Sequence, residues 1–300
     1  MFKQFGTLGK LTILAIITFV CLLTALVLGS AGAIIYGSVN GMEATVVAKE
    51  AGYLRAYQIV SSLIIFVIPA IMCALLFGEG CKNGLYLNQK TNFKSISIAL
   101  LAMAAAIPLS SILGELNSQL TLPHFMQGVE EWMRQKEESA QGITEQLLTT
   151  NSFGIYLYNI VVFAIVPALG EELYFRATLQ KIITHNRPIL AAGIAAVLFS
   201  AFHLQFYGFA PRLLLGFMLG IMLVCTQNII VPVAAHFFNN FVAVTAYYIT
   251  GGDIQPGQNQ PVALSIVIAL ASVAAVWWLL DMLWKKNKKS VIQVKKSDIL

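Results

Sequence analysis

Residues 153–176 read FGIYLYNIVVFAIVPALGEELYFR, an apolar run that ends in three charged side chains, Glu171, Glu172 and Arg176. The run is long enough to cross a bilayer as a helix, which needs about 20 apolar residues. An ionisable side chain at the bilayer centre costs roughly 3 kcal/mol or more. Three of them on one span therefore need a reason.

The rest of the chain repeats the apolar pattern. Of 300 residues, 58% are hydrophobic and 11% charged, against about 25% charged in a typical soluble domain. Eight apolar blocks can be read, at roughly 11–36, 57–78, 96–114, 153–175, 188–206, 211–229, 230–250 and 262–284. They predict an all-α membrane bundle of about eight transmembrane helices, with seven as the alternative because the sixth and seventh blocks nearly join. The first block resembles a signal peptide at Ala31-Gly32-Ala33. Its apolar run exceeds the usual core of about 7–15 residues, so an uncleaved helix is expected.

The net charge of +5 does not point to nucleic acid, since the cations are sorted by side. With a cytoplasmic N-terminus, the inner segments hold Lys3, Lys10, Lys82, Lys90, Lys94, Arg176, Lys181, Arg187 and six lysines after Trp284. The outer segments hold only Lys49, Arg55, Arg134, Lys136 and Arg212. This is the positive-inside pattern, with both termini cytoplasmic, and the lysine-rich tail would meet anionic headgroups of the lipid bilayer. Cys21, Cys73, Cys81 and Cys225 show no metal or redox spacing and read as small hydrophobes.

Four regions follow: a membrane segment 1–150 with three helices and an acidic loop, a polar-marked segment 151–250, a last helix 251–284 and a basic tail 285–300. No internal repeat is evident, which counts against a transporter built on inverted repeats. Within the loop 118–152, Phe125, Met126, Val129 and Met133 recur at helical spacing beside Trp132. Two readings stay open for it: an amphipathic helix at the interface or over a cavity, and a solvated connector.

The polar residues carry the chemistry. Glu172 and Arg176 are four apart with the acid first, the favoured direction for a same-face ion pair. Glu171 points about 100° away and is left without a local partner. A carboxylate so placed suits the role of a base toward water. The plain alternative is an interfacial charge cluster closing a span. His203 sits in an apolar helix, where a hydrogen-bonded core histidine is the ordinary explanation. His236 and Asn240 are again four apart and share a face. Together they suit two hydrogen bonds to one point, as an oxyanion requires, or bonding between helices. Asn239 is expected to point elsewhere.

Glu171-Glu172-x-x-x-Arg176, Phe199-x-x-x-His203 and His236-x-x-x-Asn240, in this order, resemble the motif set of the CPBP family. That family includes type II CAAX prenyl endopeptidases and bacteriocin-processing or self-immunity (Abi) proteins. The resemblance covers roughly residues 150–250 and implies an intramembrane endopeptidase, in a bacterial-type cell membrane. It would act on a membrane-associated peptide or protein. Glu171 and His203 would activate water, and His236 and Asn240 would hold the oxyanion. A zinc site from Glu171, His203 and His236 is the alternative to a cofactor-free mechanism. A non-catalytic immunity or regulatory protein is the alternative to an enzyme.

One geometric conflict arises from block lengths. At about 1.5 Å per residue, Glu171 and His236 fall to the inner side of their helix midpoints and His203 to the outer side.

Overall fold

The computed structural model describes residues 2–90, 92–184, 187–252 and 261–297, with the side chains of residues 262 and 288–297 outside that description. The expected headgroup contacts of the lysines beyond residue 287 therefore lie outside the described residues. The described residues contain helices and no strands. The long helices are α1 Thr7–Asn40, α2 Ala51–Leu76, α3 Phe93–Ser118, α4 Gln127–Leu148, α5 Phe153–Thr184, α6 Pro188–Phe202, α7 Phe209–Thr226, α8 Ile230–Thr250 and α9 Val262–Ser297.

Seven helices among the described residues are long and apolar enough to cross a membrane: α1, α2, α3, α5, α7, α8 and the Ala263–Asn287 part of α9. Block 188–206 is the exception. Its helix α6 has 15 residues, roughly 22 Å at 1.5 Å each, short of a bilayer core of about 30 Å. Pro188 starts it, and the chain turns out of it at Leu204, whose φ is +53°. The near-continuous sixth and seventh blocks do separate. Gln227 takes a left-handed conformation after α7, and Asn228 Oδ1 accepts from Ile230 N–H at 2.8 Å to start α8.

Among the described residues, apolar faces assemble the bundle in three clusters, of which two are the larger. One joins Leu14, Phe66, Cys73, Tyr174, Phe175 and Phe199 from α1, α2, α5 and α6. The other joins α3, α7, α8 and α9 through Ala99, Ala102, Met222 and Leu283. Small residues such as Ala99 and Ala102 let α3 approach its neighbours closely, the usual packing device where lipid removes a hydrophobic drive. The four cysteines are free.

Helix α5 is the scaffold of the polar residues, and it is not uniformly wound. Pro167 cannot donate to the Phe163 carbonyl, and the turn before it, Val161–Ile165, is π-helical. A second π-helical stretch covers Glu172–Gln180, where Thr178 Oγ1 donates five residues back to the Leu173 carbonyl at 2.9 Å. α5 also runs on to Thr184, beyond the block read from hydropathy. Glu171 consequently lies just past the middle of a 32-residue helix rather than near its inner end.

Two of the cations assigned to outer segments are turned into the protein. Arg55 is 7% exposed and holds Asn159 Oδ1 at 2.8 Å and the Leu147 carbonyl at 2.6 Å. It thereby ties the C-terminal end of α4, where cations are favoured, to α2 and α5. Arg212 lines a cavity among the helices.

α4 is not a free connector. It overlies the loop between α6 and α7: Trp132 packs on Phe206 at 5.3 Å between ring centres, and Glu137 Oε2 accepts Tyr207 N–H at 3.2 Å.

Candidate active site

The cavity has a volume of about 280 Å³. Glu171, His203, His236 and Asn240 all line it, so the depth conflict counted from block lengths disappears. The long α5 and the short α6 account for this. Phe163 and Leu219 supply apolar wall, with Met103 from α3 and Leu148 from the end of α4. A larger groove of about 740 Å³ runs along α6 and α7, lined by residues such as Leu190, Ile194 and Phe217. Among the described residues no ionisable side chain lines the groove, whereas Glu171, His203, Arg212 and His236 line the smaller cavity.

Glu172 is fully buried beneath that cavity. Its Oε1 accepts from Arg176 Nη1 at 2.9 Å, so the i,i+4 ion pair forms as expected. Arg176 Nη2 donates to the Gly216 carbonyl at 3.0 Å, and the guanidinium lies 4.4 Å from the Phe199 ring centre. Gly216 is needed for this approach, because a Cβ there would come within 3.0 Å of Phe199 and 3.2 Å of Arg176 Nη2. One turn along, Gln180 Nε2 repeats the arrangement on the Gly220 carbonyl at 3.1 Å.

The same Glu172 oxygen meets His236 Nδ1 at 2.8 Å. A carboxylate can only accept, so Nδ1 carries the proton and Nε2 is the nitrogen turned elsewhere. Nε2 lies 3.8 Å from Glu171 Oε2, too long for a direct hydrogen bond. Glu171 is thus less isolated than expected: His236 stands between the two carboxylates. His203 Nδ1 donates to the Phe199 carbonyl at 2.8 Å, which leaves its Nε2 as the acceptor in the neutral ring.

Asn239 corrects the expectation that it points away. It lines the cavity and donates from Nδ2 to Asn240 Oδ1 at 3.2 Å. This leaves Asn240 Nδ2 free to donate. The i,i+3 spacing from His236 is the signal that places Asn239 on the same face. Arg212 was also missed as a cavity residue, because its place depends on how α7 packs.

Among the described residues no three His, Cys, Asp or Glu side chains converge as metal ligands. Glu171, His203 and His236 as arranged do not form such a zinc set.

Polar side chains gathered in a cavity of a helical membrane bundle define an integral membrane protein with a site among its helices. Residues 153–242 match the family model described as Type II CAAX prenyl endopeptidase Rce1-like. No curated protein and no solved structure matches the chain.

Proposed function

We propose that the protein is an intramembrane endopeptidase of the CAAX type, hydrolysing a peptide bond in a membrane-associated peptide or protein. The observation that carries this reading is His236 held between Glu172 and Glu171 at the wall of a cavity shared with His203 and Asn240. The family match supports the reaction class.

In this reading Glu171 takes a proton from water, and His203 Nε2 accepts a hydrogen bond from the same water. The water oxygen attacks the scissile carbonyl carbon. Asn240 Nδ2 donates to the oxygen as it becomes negative. His236 presents a bare Nε2 when neutral, so its donation requires the imidazolium, whose charge the Glu172 carboxylate supports. The carbon–nitrogen bond then breaks, and the proton on Glu171 passes to the leaving amine. Burial keeps these charges in a low dielectric, where each hydrogen bond is stronger than in water.

The test is N- and C-terminal peptide profiling of cells carrying the wild-type protein or Glu171→Ala. Cleavage products confined to the wild type are expected. Identical profiles with both proteins would favour a non-catalytic immunity or regulatory role.

A further inference from the structure

Arg212, in the first turn of α7, lines the cavity that holds Glu171, His203, His236 and Asn240. Its Nη1 donates to Gln205 Oε1 at 3.1 Å and its Nη2 to the Gln205 carbonyl, both neutral acceptors. Its Nε is buried and has no hydrogen-bond partner among the described residues. Among the described residues no carboxylate forms an ion pair with it. Glu137 acts on it from longer range while accepting Tyr207 N–H. Room for the guanidinium is provided by Gly208, where a Cβ would stand 2.6 Å from Nη1.

Arg212 as a whole is part-buried, and a guanidinium whose Nε is shut off from water without a partner gains from meeting an anion. The Gln205 bonds explain how the side chain is held, but they do not supply the countercharge. We propose that Arg212 binds the terminal carboxylate of the peptide being cleaved, an assignment that rests on the peptidase reading and names its anion-binding residue. The planar guanidinium fork matches a carboxylate in geometry and charge. The cavity is at or below the small end of the range for ligand pockets, about 300 Å³. Because Arg212 and Glu171 line the same small cavity, a carboxylate at Arg212 would lie close to the reacting carbonyl. The cation also offsets a further negative charge entering a cavity lined by Glu171 and underlain by Glu172.

The test is calorimetric binding, in detergent, of an N-acetylated tripeptide of apolar residues as its free acid and as its C-terminal amide. The wild-type protein should bind the acid at least about tenfold more tightly, the scale of a hydrogen bond to a charged group. Arg212→Gln should erase that preference, and Arg212→Lys should keep part of it. Equal affinity of the wild type for acid and amide, or no binding of either, overturns the proposal without any variant. A preference that survives in Arg212→Gln does the same. Displacement of the acid by short-chain phosphatidylglycerol at lower concentration than by unlabelled acid would make this a headgroup site, and also overturns it. Failure of the peptidase reading would show separately, as identical peptide profiles of cells carrying the wild type and Glu171→Ala.

Discussion

His236 Nδ1 lies 2.8 Å from Glu172 Oε1, across 64 residues of sequence and between two different helices. One carboxylate oxygen therefore holds both the Arg176 guanidinium and the imidazole. The ion pair within α5 orients a side chain on α8, so scaffold and chemistry share an atom.

Removing Glu171 or His203 should stop the reaction while leaving the fold. Glu171→Ala and His203→Ala are each expected to reduce the wild-type-dependent cleavage found by peptide profiling by at least about 100-fold, the scale of positioned acid–base groups. Size-exclusion elution and thermal unfolding should stay near wild type. Retained turnover in either variant would falsify the assignment.

Glu172→Gln should behave differently. It leaves Arg176 buried without its countercharge and weakens the hold on His236. Breaking a buried pair by removing one partner costs about 3–5 kcal/mol. Both folded yield and activity should fall, and a variant that loses activity with unchanged thermal stability would contradict the structural half of this role.

The amide pair separates donor from positioner. Asn240→Ala removes the proposed oxyanion donor and should lower kcat by about 100- to 1000-fold. Asn239→Ala leaves that donor but frees its amide to rotate, so a smaller loss is expected. Equal effects of the two substitutions would argue that neither acts on the oxyanion.

Gly220→Ala tests the close packing of α7 on α6 and α5. The added Cβ would stand 2.8 Å from Ala192 Cβ and 2.9 Å from Gln180 Oε1. Overpacking of this kind costs about 1–3 kcal/mol, measurable as a lower unfolding temperature. Gly193→Ala, where nothing lies within 4 Å, is the neutral control.

The entry to α4 should loosen in acid. Leu122 N–H, then the Arg134 guanidinium, hold the part-buried Glu130 carboxyl below the usual carboxylate range. A depressed folded value means its contribution is complete above the unfolded value of about 4.3 and is lost as pH falls through the folded one. Hydrogen exchange at Leu122, corrected for the intrinsic pH dependence, should show lower protection in that acid range. Unchanged protection would remove Glu130 as the clasp.

Much of this protein is legible along the chain, because the causes are local. Long apolar runs dictate helices in lipid, where every backbone group must be paired within its own segment. Spacing of four residues puts Glu172 with Arg176 and His236 with Asn240. The ordered motifs led to the family that residues 153–242 match. Packing settled what spacing could not. The turn after α6 shortens that helix, the π-helical winding of α5 accompanies the Glu171–Glu172 pair, and α4 folds over the 203–208 loop. The Glu172–His236 bond, the inward Asn239 and the unmatched Arg212 Nε arise between segments far apart in sequence. Periodicity reports which face of a helix is polar. Which partner that face meets depends on the depth and rotation at which each helix packs, and those are properties of the whole bundle.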